Sequence, residues 1–339
     1  MIHNFAFDIF FGLQAKKYKV TKDACVILVV IFCLVSYYGA SGQQQQMYTQ
    51  FMYNKLSLNP AFAGNEKYAT LALLYRDQWS GFPGAPEGQL LSVNLPRIGN
   101  RIGLGLNFER QTIGISEKIT YEGIYAYKFS MGEGTLSMGM NVSGRYFRQD
   151  FTDERIYSVQ DRLLDPSIPN TVQTNSFFNA GFGVYFNTNT FYLGMSLPRM
   201  IRSDIDFDNN QSFSTESRHL LLMTGGTFIL DQDLRLTPQM LFKVAEHSPW
   251  SLDLNLSATI YDKYTTGLTY RTGGASGDLG ESLDVIIGMQ LSDRMMIGFA
   301  YDITLAQIRT VSNGSAEIIM NYNFIPKRIK TILINPRYF

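Results

Sequence analysis

The chain has 339 residues, 45% of them hydrophobic and 14% aromatic, with only 17% charged and a formal net charge of zero. Charge this sparse lies below the roughly 25% of soluble domains, and without a basic excess no phosphate-binding surface forms, so no nucleic-acid partner is expected. The apolar share excludes a disordered chain.

Residues 1–42 read as an export signal. Lys16, Lys17, Lys19 and Lys22 precede an apolar core from Ala24 to Val35, and Ala40-Ser41-Gly42 supplies the small residues of a cleavage site before Gln43. The core is shorter than the roughly 20 residues of a membrane helix, so removal is expected rather than retention as an anchor. Both cysteines, Cys25 and Cys33, fall inside this leader. A mature chain without thiols has no disulfide, thiolate metal site or cysteine nucleophile. No later apolar run is long enough for a membrane helix, so membrane entry requires a closed barrel, in which every backbone polar group finds an internal partner.

From Ala69 onward the chain alternates with period two. Leu104, Leu106 and Phe108 oppose Gly105, Asn107 and Glu109, while Leu252, Leu254 and Leu256 oppose Asp253, Asn255 and Ser257. The predicted strands are Ala69–Tyr75, Gln89–Leu95, Arg101–Glu109, Lys118–Phe129, Gly134–Asp150, Phe177–Thr188, Thr190–Leu197, Arg218–Leu230, Leu234–Val244, Ser251–Ile260, Tyr264–Arg271, Glu281–Leu291, Met295–Asp302 and Ser315–Phe324. Tight turns such as Met131-Gly132-Glu133 and Ser292-Asp293-Arg294 alternate with longer loops at Arg76–Gly88, Gln111–Glu117, Phe151–Ser176, Pro198–Ser217, Ala245–Trp250, Thr272–Gly280 and Ile303–Gly314. Short periplasmic turns and long extracellular loops on an even number of strands define an all-β fold, a transmembrane antiparallel β-barrel of about 14 strands. A Lys or Arg facing lipid near the midplane costs roughly 2–4 kcal/mol, and Glu109, Glu122, Lys128, Asp253, Arg271, Asp284 and Glu317 all take the opposite phase to the apolar set. Tyr121, Tyr125, Tyr127, Phe129, Phe186, Phe299 and Tyr301 fall on the outer phase as an interfacial belt. Only "HLLLMTGGTFIL", His219 to Leu230, keeps no phase.

Catalytic constellations are missing from this pattern. His219 and His247 are the two histidines beyond the leader and neither has marked partners. Asp204, Asp206 and Asp208 open like a calcium loop, but Asn209 replaces the turn glycine and Thr215 the final glutamate, so an acidic solvated loop is expected. Gly103/Gly105 and Gly181/Gly183 alternate within strands and precede no helix, which places them on an inner face that makes room for bulky neighbours or an entering segment. No enzymatic activity, cofactor or metal is expected.

Gln50-Phe51-Met52-Tyr53-Asn54, "LNPAFAG" from Leu58 to Gly64 and "RDQWSGFPGAP" from Arg76 to Pro86 resemble the start of the PorP/SprF family of the Bacteroidetes type IX secretion and gliding machinery. The likeness continues through Ile102-Gly103-Leu104-Gly105, Gly194-Met195-Ser196-Leu197-Pro198, Tyr270-Arg271, Tyr301-Asp302 and Glu317-Ile318, with Ala316 where the pattern has a histidine. The resemblance implies a non-enzymatic outer-membrane component needed for export or surface attachment of a partner. The partners it implies are a secreted or surface protein with a carboxy-terminal sorting domain, such as an adhesin, and periplasmic components of the machine.

The residues singled out are Asn59, Pro60, Ala61, Gly64, Arg76, Gln78, Trp79, Gly81, Phe82, Gly84 and Pro86. Pro83 and Pro86 restrict φ while Gly81 and Gly84 allow reversals, so the loop presents Trp79 and Phe82 in a fixed arrangement, either folded into the barrel mouth or displayed to a partner. Asn59-Pro60-Ala61 precedes the first strand and is expected at the periplasmic side or in the lumen, capping the barrel. The division is a leader 1–42, a periplasmic or lumenal segment 43–68, a barrel 69–324 and a basic periplasmic tail 325–339. The rival reading is a porin or small-molecule transporter, for which a polar lumen suffices.

Overall fold

The computed structural model describes residues 48–156, 171–202, 218–246, 248–273 and 280–326. The leader with both cysteines, the acidic triplet at Asp204, His247 and the basic residues from Lys327 onward lie outside the described residues. So do the middle portions of the loops expected at Phe151–Ser176, Pro198–Ser217 and Thr272–Gly280.

Fifteen strand segments make one antiparallel sheet: β1 Ala69–Asp77, β2 Glu87–Asn94, β3 Ile102–Ile113, β4 Ser116–Met131, β5 Gly134–Asp150, β6 Val172–Asn187, β7 Phe191–Leu197, β8 His219–Gly226, β9 Phe228–Asp231, β10 Leu234–Ala245, β11 Ser248–Ile260, β12 Tyr264–Gly273, β13 Ser282–Ser292, β14 Met295–Thr304 and β15 Ser315–Phe324. β8 and β9 both pair with β10 and are the halves of one stave interrupted at Thr227. That leaves fourteen staves, and the pairing of β1 with β15 closes the wall without a free first or last edge. Closure is what allows a sheet to sit in hydrocarbon. No helix among the described residues is long and apolar enough to cross a membrane.

The period-two pattern sorts as its chemistry requires. Leu106, Val142, Leu268 and Ile287 point outward and are more than half exposed, while Lys128, Asp253, Arg271, Asp284 and Glu317 point inward and are buried. Tyr121, Tyr125, Phe129, Phe299 and Tyr301 are exposed on the outer face.

Three expectations need correction. The connection placed at Gln111–Glu117 is a hairpin, because β3 and β4 stay paired until Ile113 meets Ser116. The loop placed at Ala245–Trp250 closes equally tightly, with Ala245 opposite Ser248. Long and short connections therefore do not alternate strictly. Arg76, placed in a loop, is part of β1, where it stands opposite Glu317.

The unphased stretch from His219 to Leu230 has a packing explanation. Its inward residues Leu221 and Met223 are buried against Phe51 and Ala61 of the amino-terminal segment and Tyr185 and Tyr192 of the wall. Both faces of β8 are therefore apolar, and the break at Thr227 removes what phase remained.

The amino-terminal segment runs down the inside of this wall. Three single-turn 3-10 helices, Phe51–Tyr53, Lys55–Ser57 and Pro60–Phe62, carry it from the loop rim, where the Arg76 end of β1 lies, to the opposite rim. Burying side chains such as Phe51 and Leu56 contributes about 1.5–3 kcal/mol each, an upper figure, because the unfolded chain already covers part of its apolar surface.

Candidate functional site

The wall is cut back to glycine where the segment passes. A Cβ on Gly103 would lie 2.0 Å from the Ala63 carbonyl oxygen, one on Gly139 2.4 Å from the Ala61 nitrogen, and one on Gly183 2.1 Å from the Asn59 side-chain oxygen. The Ile102–Gly105 and Gly194–Pro198 motifs thus belong to the plug's bed. Gly105 lies against Leu56, and Gly194 against Asn59.

Asn59 shows why this residue type is needed at the centre. Its oxygen accepts from the Ala61 amide at 2.9 Å, capping the turn that Pro60 begins, while its amide donates to the Val184 carbonyl at 3.0 Å and the Met195 carbonyl at 3.3 Å. One side chain therefore fixes the plug's turn and bridges β6 to β7. Gly64, at φ +70°, donates to Asn94 at 2.8 Å where the chain leaves the lumen. Between plug and wall is a cavity of about 70 Å³, bounded by Tyr48, Asn107, Glu109, Glu122, Arg199 and Leu241, which has room for a few waters.

Lys55 rests its ammonium 3.9 Å above the Tyr192 ring centre. Burial pushes its pKa down to about 8, with Glu66 pulling the other way, and burial likewise raises the Glu66 carboxyl.

At the loop end of the lumen lies an arc of charge. Lys243, Asp253, Arg271, Asp284, Asp302, Glu317 and Arg76 come from seven successive staves, β10 to β15 and then β1, and all are buried. Lys243 pairs with Asp253 at 2.7 Å, Arg271 with Asp253 at 3.1 Å, and Arg76 with Asp302 at 2.5 Å and Glu317 at 3.2 Å. The plug's amino end completes the network. Thr49 and Gln50 donate their backbone amides to the two Glu317 carboxylate oxygens, both at 2.8 Å, and the Thr49 hydroxyl accepts from Arg76 at 2.8 Å and lies 2.9 Å from both Asp302 oxygens. Arg271, Asp302 and Glu317 of the dispersed motif fragments, together with Arg76, thus meet at one level. Arg76 precedes the other three by about two hundred residues and joins them only through the closing pair of β1 and β15.

The remaining motif residues stand outside the lumen. The loop Gln78–Pro86 does not enter the mouth but is bonded along the rim. Gln78 closes it onto the Pro86 carbonyl at 2.9 Å, Ser80 exchanges backbone bonds with Gly314 and Asn313 at 2.8 and 2.9 Å, and Gly114 donates to Gly84 at 2.9 Å. Trp79 (φ +57°), Gly81 and Gly84 take left-handed conformations. Trp79 is half-buried, Pro86 buried and Phe82 42% exposed. Beside Phe82 opens a polar cleft of about 380 Å³ containing Asp77, Glu87, Arg110, Glu117, Arg148 and Asp150 among its lining residues.

The eleven singled-out residues therefore form three groups: Asn59, Pro60, Ala61 and Gly64 in the plug, Arg76 in the charged arc, and Gln78, Trp79, Gly81, Phe82, Gly84 and Pro86 on the rim. Residues missed in sequence are Thr49, which lies just before the first recognised fragment and acts through its amide and hydroxyl, Lys243 and Arg199. In β10 Lys243 shares the inward phase of Gln239 and Leu241, opposite Met240 and Phe242, and that phase is its signal in the sequence.

A family model described as type IX secretion system membrane protein PorP/SprF matches residues 40–322. No curated protein matches the chain. Among solved structures, the Pseudomonas putida toluene transporter TodX is similar at 8% identity and TM-score 0.48, over 79% of this chain and 93% of its own. A Pseudomonas aeruginosa FadL homologue is similar at 13% identity and TM-score 0.43, over 84% and 96%. The Acinetobacter baumannii outer membrane protein Omp33 is similar at 8% identity and TM-score 0.43, over 77% and 100%. With the family model covering most of its length and its wall closed as a fourteen-stave barrel, the chain belongs to the PorP/SprF family of type IX secretion membrane proteins of the outer membrane.

Proposed function

We propose that this protein is a non-enzymatic docking component of type IX secretion, required for export or cell-surface attachment of a partner such as a gliding adhesin with a carboxy-terminal sorting domain. Its leader directs it through the inner membrane of a Bacteroidetes cell, and components of the machine in the periplasm engage its turn rim. The observation that carries this reading is the division of labour in the sequence motif. One part fills the lumen with the protein's own chain, while the other holds an ordered loop outside it with Phe82 turned to solvent. A rigid loop with an exposed aromatic side chain loses little entropy on binding, which is the property of an anchor for a partner. A lumen occupied by the chain's own segment speaks against a constantly open pore.

The test is capture from native outer membranes. The parent protein is expected to co-purify with a secreted protein bearing a sorting domain, and Phe82→Ala and Trp79→Ala to lose it while the barrel stays folded. Steady open-channel current from the parent in a planar bilayer, with no protein captured, would overturn docking in favour of transport.

A further inference from the structure

The plug is fixed at its two ends in different ways. At the turn rim it continues covalently into β1 through residues 65–68. At the loop rim it is tied through carboxylates, with the Tyr48 hydroxyl donating to Glu109 at 2.8 Å, the Thr49 hydroxyl donating to Asp302, and the Thr49 and Gln50 amides donating to Glu317. Between the ends its contacts are apolar packing, hydrogen bonds such as Asn54 to Ser92 at 2.8 Å and the Asn59 bridges, and the Lys55 ammonium over Tyr192, with no carboxylate among the described residues of the wall holding it.

We propose that Arg76, Asp302 and Glu317 with Thr49 and Gln50 form a latch, and that the barrel is a conduit for ions and small solutes whose closed state this latch maintains. Arg76 is the member that makes the arrangement tenable. Without its guanidinium, Glu317 has no cation in contact among the described residues and Asp302 only the more distant Arg271, at 3.8 Å, so two buried carboxylates face the plug's end undercompensated and their repulsion favours its withdrawal. The path the plug would vacate passes over Gly103, Gly139, Gly183 and Gly298, where the wall sends no side chain into it. The latch also has a lever at the surface. Ser315, two residues before Glu317, accepts from the Trp79 amide at 3.1 Å, and Arg76 lies two residues before Gln78, so the rim loop is rooted in the two strands that carry the latch.

The experiment is single-channel recording of the full-length purified barrel and of Glu317→Gln and Thr49→Val, with the heat-dependent gel shift of each confirming an intact wall. Glu317→Gln removes the charge and turns one of the two acceptor oxygens into a donor facing a backbone amide, and Thr49→Val removes the shared hydroxyl while conserving shape. The expected result is a silent parent and about a hundredfold more open time in the variants. Asn54→Cys with Ser92→Cys, added to each variant, tethers the plug to β2, and oxidation is expected to abolish the currents and reductant to restore them. Folded variants as silent as the parent overturn the latch, as do currents that persist when the tether is oxidised. Should Glu317→Gln not fold, Thr49→Val decides alone.

Discussion

Arg76 on the first strand and Glu317 on the last face each other across the barrel's closing seam, with Nη1 and Oε2 3.2 Å apart and both side chains sealed from solvent. A buried ion pair adds little net stability over a matched apolar pair, but removing one partner leaves an uncompensated charge and costs about 3–5 kcal/mol.

Arg76→Ala is accordingly expected to lower the stability of the detergent-solubilised barrel by roughly that amount, read as the midpoint of its heat-dependent mobility shift. Arg76→Lys should fall between the two, because a single ammonium cannot serve Asp302, Glu317 and the Thr49 hydroxyl as the guanidinium fork does. Equal midpoints for the parent and Arg76→Ala would contradict the structure at this point.

Asn59→Asp isolates the polar centre of the plug. The change keeps the cap on Ala61 but turns the donor to Val184 and Met195 into a carboxylate oxygen set against two carbonyls, at a cost of about 2–3 kcal/mol. The expected signature is protease cleavage within residues 48–66 while the wall stays resistant. Protection equal to the parent would show that Asn59 does not hold the plug.

Lys55 gives the plug a pH dependence of definite sign. Its pKa falls from 10.5 in the unfolded chain to about 8 in place, so between these values the unfolded state binds the extra proton and stability rises with pH. Below about 8 the cost of the buried ammonium is fully present. Unfolding midpoints are therefore expected to rise from pH 8 to 10 in the parent and to stay flatter in Lys55→Met. A parallel slope in both would refute the assignment.

Gly84→Val probes the rim loop alone. Gly84 has φ +77°, a region β-branched residues avoid, and a Cβ there would meet the Gly114 Cα at 3.2 Å. Barrel stability is expected to change by less than about 1 kcal/mol, since the loop lies outside the wall, while partner capture falls. Unchanged capture would move the docking surface elsewhere.

The wall was legible because a strand facing lipid on one side and a wet lumen on the other must alternate, and segments such as Leu252–Ile260 do so residue by residue. β8 was not, since Leu221 and Met223 face a lumen that Phe51 and Ala61 have made apolar. The plug leaves no period at all, because single 3-10 turns are too short to repeat. Its signature is indirect, in glycines at Gly103, Gly139 and Gly183 on the inward phase. The Arg76 network was out of reach of any local reading, since its members are assembled only when the ends of the sheet meet, although the resemblance named three of the wall residues one by one.

Because Thr49 sits near one mouth and Gly64 near the other, the chain traverses the full height of the pore before its first stave begins. A stretch so enclosed cannot be threaded in afterwards past a finished wall without passing through a narrow opening. The simplest order of biogenesis lays it into an open trough and lets the last-made hairpin zip onto the first around it, with residues 49 and 50 waiting as the template on which that final strand comes to rest.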